Sequence, residues 1–358
     1  MVAGRPFDFC DMIDERHIIL QDRTLLEALS QINTFRNEPM VLFVVDENQK
    51  MVGTLTDGDS RRALITGAQV SDPISKVMQR DFNYLQDGVN FDVKHLRHQK
   101  EMKMSLVPIL DDGHHILDII NLEKYKTRLP IDAVIMAGGK GERLRPLTEK
   151  TPKPLLKVGD KCIIDYNIDN LISCGVNHIS VTVNYLREQL EDHYLEPRDG
   201  VKIEAIREPK FLGTIGSIQF IKKFYHDTVL IMNSDLFTNV DFEDFYLHFI
   251  DNGADMSVAA VPYSVSVPYG IFDLDGRDVK AVIEKPTYNY YANGGIYLIK
   301  RDMIEKYIPE DTFFNATDFI KKLILEGRKV IRYPLHGYWI DIGNKQDYLK
   351  AQDIVKHL

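Results

Sequence analysis

Cysteine, tryptophan and net positive charge are all scarce in this 358-residue chain. Its three cysteines, Cys10, Cys162 and Cys174, show neither CxxC spacing nor a framework of pairs. A disulfide-stapled secreted scaffold is therefore excluded, and thiols in a reducing cytoplasm are expected. No apolar run approaches the roughly 20 residues that span a bilayer, and the segment before Asp14 lacks the apolar stretch of a signal peptide. A cytoplasmic chain without membrane segments is the expectation. Lys and Arg total 44 against 53 Asp and Glu, a net charge of −9. That balance argues against nucleic acid as a partner, because such binders present a broad basic face. The rest is ordinary: 44% hydrophobic and 27% charged residues, over a length that favours two domains.

One short stretch reverses the acidic average. Between Gly138 and Lys157 stand six basic residues (Lys140, Arg143, Arg145, Lys150, Lys153, Lys157) against two acids, Glu142 and Glu149. A basic island in an acidic chain points to a small polyanion as ligand.

The N-terminal third repeats itself. Leu20-Gln21-Asp22 recurs as Leu85-Gln86-Asp87, and Val45-Asp46 matches Leu110-Asp111 at the same spacing. Each copy reads as a helix (Leu25 to Phe35, then Phe91 to Gln99) followed by an apolar hairpin. The first hairpin runs through Met40–Asp46 and Met51–Thr56, the second through Leu106–Leu110 and Ile116–Ile120. With Thr56-Asp57-Gly58-Asp59 and Arg61-Arg62-Ala63-Leu64 following the first hairpin, the segment resembles a tandem pair of CBS domains over residues 1–126. The resemblance implies that Thr56 and Asp59 contact the ribose of an adenine nucleotide, a contact a carboxylate can make by accepting from both hydroxyls. The second copy has Asn121 and Lys124 at those positions, so at most one competent pocket is expected. The alternative is a module used only to associate into a homo-oligomer, as CBS pairs do.

Residues 127–130 read as a linker ending in a proline. From Ile131 the pattern becomes strands alternating with helices: a strand at Asp132 to Met136, a helix at Ile163 to Ser173, and a strand at His178 to Val183. A helix at Gly213 to Phe224, a strand at Val229 to Met232, and helices at Ala316 to Glu326 and Asn344 to Lys356 follow. Such alternation predicts an α/β domain over residues 131–358, Rossmann-like, with a mixed, mostly parallel sheet.

The first of these strands runs into Ala137-Gly138-Gly139-Lys140-Gly141-Glu142-Arg143-Leu144-Arg145-Pro146-Leu147-Thr148, with Lys153-Pro154 beyond. Glycines let backbone N–H groups approach phosphate oxygens closely. The spacing fits neither the dinucleotide fingerprint nor the P-loop. Prolines at 146, 152 and 154 forbid a regular helix, leaving a loop that can carry cations over a triphosphate. This motif resembles that of the sugar-1-phosphate nucleotidyltransferases, with Glu142 where many members have threonine. The resemblance implies that Ala137, Gly138, Gly139 and Gly141 cradle the nucleotide. It also implies that Arg143 stabilises charge on the triphosphate and that Lys153 holds the sugar phosphate and α-phosphate.

Two phosphorylated substrates repel, so the reaction calls for a divalent metal, Mg²⁺ being the expected cofactor. Asp235 directly follows an apolar strand, and Asp341 lies in Trp339-Ile340-Asp341-Ile342-Gly343. The family has an aspartate at both places, which implies that the two share the metal. The resemblance further assigns Gly270, Glu284, Lys285 and Asn293 to the sugar phosphate. Gly270 and the Glu284-Lys285-Pro286 stretch flank a hairpin turning at Asp275-Gly276. An acid and an amine adjacent on one strand would point to opposite faces unless the chain bulges there. Leu212-Gly213-Thr214-Ile215-Gly216 is similar to guanylyl- and cytidylyltransferase members and places Gly213 and Thr214 at the nucleotide, with GTP favoured over CTP or UTP. The expected enzyme joins a nucleoside triphosphate to a hexose or hexosamine 1-phosphate and releases pyrophosphate. The competing reading is a ligand-sensing CBS protein whose transferase-like domain is only a scaffold.

Overall fold

The computed structural model describes residues 15–36, 38–87, 93, 94, 97, 104–122 and 128–357. The chain divides into two units, Met1–Lys126 and Thr127–Leu358.

In the first unit, strands β1 (Ile18–Leu20), β2 (Val41–Val45) and β3 (Met51–Thr56) form one sheet, and β4 (Leu85–Gln86), β5 (Leu106–Leu110) and β6 (Ile116–Asn121) another. In both, the first pair is parallel and the second antiparallel. The repeat holds at the level of register. Val41 pairs with Thr56 and Leu106 with Asn121; the ladder slips between Val44 and Val45, and again between Ile109 and Leu110. The hairpin turns match as well, with Gln49 at φ 62° and His114 at φ 65°. Asp46 accepts from the Lys50 N–H at 2.9 Å and Asp111 from the His115 N–H at 2.8 Å. Lys50 and His115, equivalent positions, bridge to each other, as residues on a local twofold axis do.

The helix expected at Leu25 to Phe35 spans Leu25–Ile32 and starts with a capping box between Thr24 and Glu27. It stops at Asn33, and Phe35 packs into the core as part of the following turn. The second expected helix, Phe91 to Gln99, lies largely outside the described residues.

The second unit is built on a seven-stranded sheet. Its members in chain order are β7 (Ile131–Ala137), β10 (His178–Val183), β11 (Ile203–Arg207), β12 (Thr228–Asn233), β14 (Met256–Ser266), β17 (Thr287–Lys300) and β18 (Val330–Pro334). Short strands β8 (Lys157–Val158), β9 (Lys161–Cys162), β13 (Leu236–Thr238), β15 (Ile271–Asp275), β16 (Asp278–Ile283) and β19 (Trp339–Asp341) form three two-stranded pieces. The spatial order is β11-β10-β7-β12-β17-β14-β18. The first four run parallel, β17 runs antiparallel to both neighbours, and β18 is parallel to β14.

β7 sits mid-sheet and is buried at six of its seven positions, as a strand covered on both faces must be. From it the chain crosses one way to β10 and later the other way to β12, so β7 borders a topological switch point. The carboxyl ends of such strands open a crevice in α/β sheets. Ala137, Val183 and Asn233 end their strands there, and Gly138, Asn184 and Ser234-Asp235 follow.

Two expectations change. The helix placed at Gly213 to Phe224 is a single 3-10 segment, Gly216–Phe220. Gly213 is left-handed (φ 84°), and on either side of it the Leu212 carbonyl and the Ile215 N–H pair with the backbone of Phe314. The linker proposed for 127–130 includes Leu129, which is buried and donates its N–H to the Cys174 carbonyl at 3.0 Å. An apolar residue inside a polar stretch was the visible sign that this segment packs.

Candidate active site

The glycine-rich loop leaves β7 at the crevice. Gly141 is left-handed (φ 61°), and its carbonyl accepts from the Thr148 hydroxyl at 2.8 Å, which closes the loop on itself. A Cβ on Gly138 would lie 2.6 Å from Glu208 Oε2, so a larger residue there would displace that carboxylate. Lys153 opens a 3-10 turn between Pro152 and Pro154 and is 8% exposed.

The two acids are joined by backbone pairing. β13 and β19 run antiparallel with Leu236 opposite Asp341, and the Ile342 N–H donates to the Asp235 carbonyl at 3.0 Å. Residues more than a hundred positions apart in the chain are thereby held side by side. Lys153 Nζ is ion-paired with Asp235 Oδ2 and lies 3.9 Å from Asp341 Oδ1. Asp235 Oδ1 and Asp341 Oδ1 are buried without a hydrogen-bond partner. Burial, together with the neighbouring Asp235 charge, pushes the Asp341 carboxyl above its ordinary range against the pull of Lys153 and Arg143. Arg143 reaches this point because its guanidinium packs near Gly343, 3.3 Å from where a Cβ would stand. Two adjoining carboxylates with buried, unpaired oxygens fit a hard divalent cation such as Mg²⁺, which takes one or two protein carboxylates and completes its shell with phosphate oxygens and water.

Two cavities meet here. One is lined by Ala137, Gly138, Gly139, Lys153, Glu208, Gly213, Thr214 and Asp235 among others. The second is lined by Asn293, Gly294, Asn315, Thr317, Trp339 and Asp341 with several neighbours. Thr214 and Asn233 border both. The second cavity owes its shape to a bulge. The β14–β17 ladder slips between Val258 and Ala260, opposite Gly294 and the left-handed Gly295 (φ 72°). Asn293 accepts from the Gly295 N–H at 2.9 Å, and the chain's single tryptophan, Trp339, donates its indole N–H to the Gly294 carbonyl at 2.9 Å.

The structure therefore brings Ala137, Gly138, Gly139, Lys153, Gly213, Thr214, Asp235, Asn293 and Asp341 around one cleft. The Thr214 hydroxyl also accepts from the Ala316 N–H at 2.9 Å, tying this loop to the start of the helix Ala316–Leu325. Gly270, Glu284 and Lys285 line neither cavity. They belong to an exposed arm, in which β14 and β17 run out beyond the sheet and carry the β15–β16 hairpin at their tip. On the arm, Gly270 and Glu284 meet: a Cβ on the glycine would be 3.1 Å from Glu284 Oε2. The expected clash of facing for Glu284 and Lys285 is resolved by the backbone, since β16 ends at Ile283 and Lys285 is left-handed (φ 42°).

In the first unit, Thr56 and Asp59 do come together, as the capping box of the helix Asp57–Ile65. Asp59 Oδ2 accepts from the Thr56 N–H and hydroxyl, and Oδ1 from Arg62 and Gln79. Burial raises the Asp59 pKa, but these hydrogen bonds prevail and hold it below the ordinary value.

Glu208 belongs to none of the sequence motifs yet borders the cleft. It is 2% exposed; Oε1 accepts from the Leu212 N–H, and burial pushes its pKa up despite that bond. Its position four residues before Leu212-Gly213-Thr214 was the available signal.

A family model described as Nucleotidyl transferase matches residues 132–357. A "Mannose-1-phosphate guanylyltransferase catalytic subunit beta" of Dictyostelium discoideum is 28% identical over 231 residues, covering 62% of this chain and 64% of its own length. A "Bifunctional protein GlmU" of Methanococcus maripaludis is 35% identical over 234 residues, 62% of this chain and 53% of its own. This chain thus spans less than two thirds of the length of either curated relative. Among solved structures, HddC from Yersinia pseudotuberculosis superposes with a TM-score of 0.50 at 28% identity, covering 63% of this chain and 99% of that one. With more than half of its length matched by the family model, the chain belongs to the nucleotidyl transferase family.

Proposed function

We propose that the second unit joins a sugar 1-phosphate to a nucleoside triphosphate, with GTP preferred, and releases pyrophosphate. The observation that carries this reading is the Asp235–Lys153–Asp341 cluster at the foot of the glycine-rich loop. A phosphate oxygen of the sugar attacks the α-phosphorus, the bond to the bridging oxygen breaks, and pyrophosphate departs with that electron pair. No covalent intermediate with the protein is required, so the residues act by position and charge. Backbone N–H groups of Gly138, Gly139 and Gly141 face the triphosphate, Arg143 offsets charge on the leaving group, and Lys153 meets the sugar phosphate. Asp235 and Asp341 would hold Mg²⁺, which neutralises and aligns the phosphates when bound.

The guanine preference is supported by Glu208 and by the names of the guanylyltransferase relatives. Glu208 lines the nucleotide cavity with Oε1 held by the Leu212 N–H, and a carboxylate there can accept from the adjacent N1–H and N2–H donors that guanine presents on one edge. Asn293 serves the sugar side of the cleft, and Gly270, Glu284 and Lys285 would reach it only with the arm bent inward. The first unit we read as a CBS pair, on the strength of its duplicated register. An adenine ribose at Asp59 would have to displace Arg62 or Gln79.

The test is pyrophosphate release from the full chain with a panel of triphosphates and hexose 1-phosphates in Mg²⁺. Turnover with GTP well above the other bases supports the reading. Silence across the panel rejects it and favours the non-catalytic scaffold.

A further inference from the structure

Two roles converge on one oxygen of the cleft. Lys153 Nζ is paired with Asp235 Oδ2, one of the groups assigned to the metal, while the same lysine is assigned to the sugar phosphate. A single ammonium carries one charge and lies too far from Asp341 Oδ1, at 3.9 Å, to hydrogen-bond it. The Oδ1 atoms of both acids stay buried without a hydrogen-bond partner. The lysine is thus a partial substitute for a divalent ion. It hydrogen-bonds only one of the two carboxylates and leaves coordination sites unused. Its backbone cannot follow a ligand, since it stands between Pro152 and Pro154 with its Cβ 3.1 Å from the Cβ position of Gly141. The ammonium, on four methylenes, can move.

We infer that Lys153 is a displaceable placeholder: a divalent ion takes Asp235 Oδ2 from Lys153 Nζ, and the freed ammonium becomes the cation that receives the sugar phosphate. The inference rests on the proposed metal role of Asp235 and Asp341. Without phosphate, metal and lysine compete for the same oxygen. With phosphate, each helps the other, because metal frees the lysine for the anion and the anion draws the lysine off the oxygen. Linkage makes the two effects equal in size. The pairing also keeps the two acids from facing each other with no cation between them.

Two measurements on the full chain decide the matter. Mn²⁺ binding, followed by electron paramagnetic resonance without nucleotide, is compared for the unaltered protein, Lys153→Met and Asp235→Asn. Lys153→Met is expected to bind Mn²⁺ at least tenfold more tightly, and Asp235→Asn at least tenfold more weakly. In the unaltered protein, acylation of Lys153 by an amine-reactive label, quantified by mass spectrometry, is expected to accelerate several-fold when Mg²⁺ is added. This second readout stands even where Lys153→Met fails to fold. Mn²⁺ affinity in Lys153→Met no higher than in the unaltered protein, or a labelling rate indifferent to saturating Mg²⁺, overturns the placeholder. If Asp235→Asn binds Mn²⁺ undiminished, with GTP as well as without, the metal role of Asp235 itself falls and the inference with it.

Discussion

The cleft and the arm of the second unit are made from the same strands yet obey different rules. Met256–Ala260 and Ile296–Lys300 lie inside the seven-stranded sheet, where both faces are covered. A few residues further out the same two strands form a ribbon, Pro262–Ser266 against Thr287–Tyr291, with every side chain exposed. The ribbon sorts its faces nonetheless. Tyr263 opposite Tyr290 and Val265 opposite Tyr288 make one apolar face, while Ser264 bonds Asn289 and Ser266 bonds Thr287 on the other. The cleft gains its order from the ends of buried strands; the arm has only its own ladder, and isolated two-stranded pieces are marginally stable in water. Lys153, Asp235 and Asp341 sit in the first region; Gly270, Glu284 and Lys285 sit in the second.

The sharpest break of that comparison comes from the cleft. Asp235→Asn should lower kcat by about 10³-fold or more in a pyrophosphate-release assay, the scale on which removing a preorganised charge acts. A loss under tenfold would move the chemistry elsewhere. Glu208→Gln should cut the kcat/KM ratio of GTP over UTP by roughly ten- to a hundredfold, or about 1.4 to 2.7 kcal/mol. An unchanged ratio would free Glu208 from base recognition.

On the arm, Lys285→Ala should raise KM for the sugar 1-phosphate about tenfold, with kcat less affected, as expected for a contact made alike in ground and transition states. No change would mean the arm stays out during turnover.

A stability measurement separates the regions without any substrate. The Asp341 carboxyl is raised in the folded state by burial and by Asp235, so its ionised form costs stability at neutral pH. That penalty is absent below the unfolded carboxylate value and grows as pH rises through the folded one. Asp341→Asn should therefore melt higher than the unaltered protein at pH 7.5, with the gap closing toward pH 4, while activity is lost. An equivalent change on the exposed arm, Asp275→Asn, should shift melting at neither pH. The smallest effect belongs to the first unit. Thr56→Ala removes a capping box and should cost about 1 kcal/mol in a denaturant titration, with turnover unaltered at saturating substrate.

Local pattern carried much of the fold. The buried run Ile131–Ala137, the helix Ile163–Ser173 and the strand His178–Val183 are each legible from neighbouring residues alone. Thr56-x-x-Asp59 shows the limit of motif reading: the spacing that resembles a ribose contact is also that of a helix cap. The segment Gly213–Phe224 has an apolar spacing that suits a helix, while the backbone bonds that hold its start, from Leu212 and Ile215 to Phe314, come from a hundred residues away. Glu208 stayed hidden for the same reason, since nothing near it in the chain says that it is buried beside Gly138.

The amino-acid sequence by itself determined the glycine turn, the basic island and the repeat of the first unit, because each depends on residues within a few positions of one another or on a fixed spacing. Tertiary structure alone decided that Asp235 and Asp341 share one point, that Lys153 stands between them, and that Glu284 and Lys285 ride on an exposed arm. Those outcomes follow from strand pairing across the sheet and from burial, which are properties of the assembled chain and of no single segment.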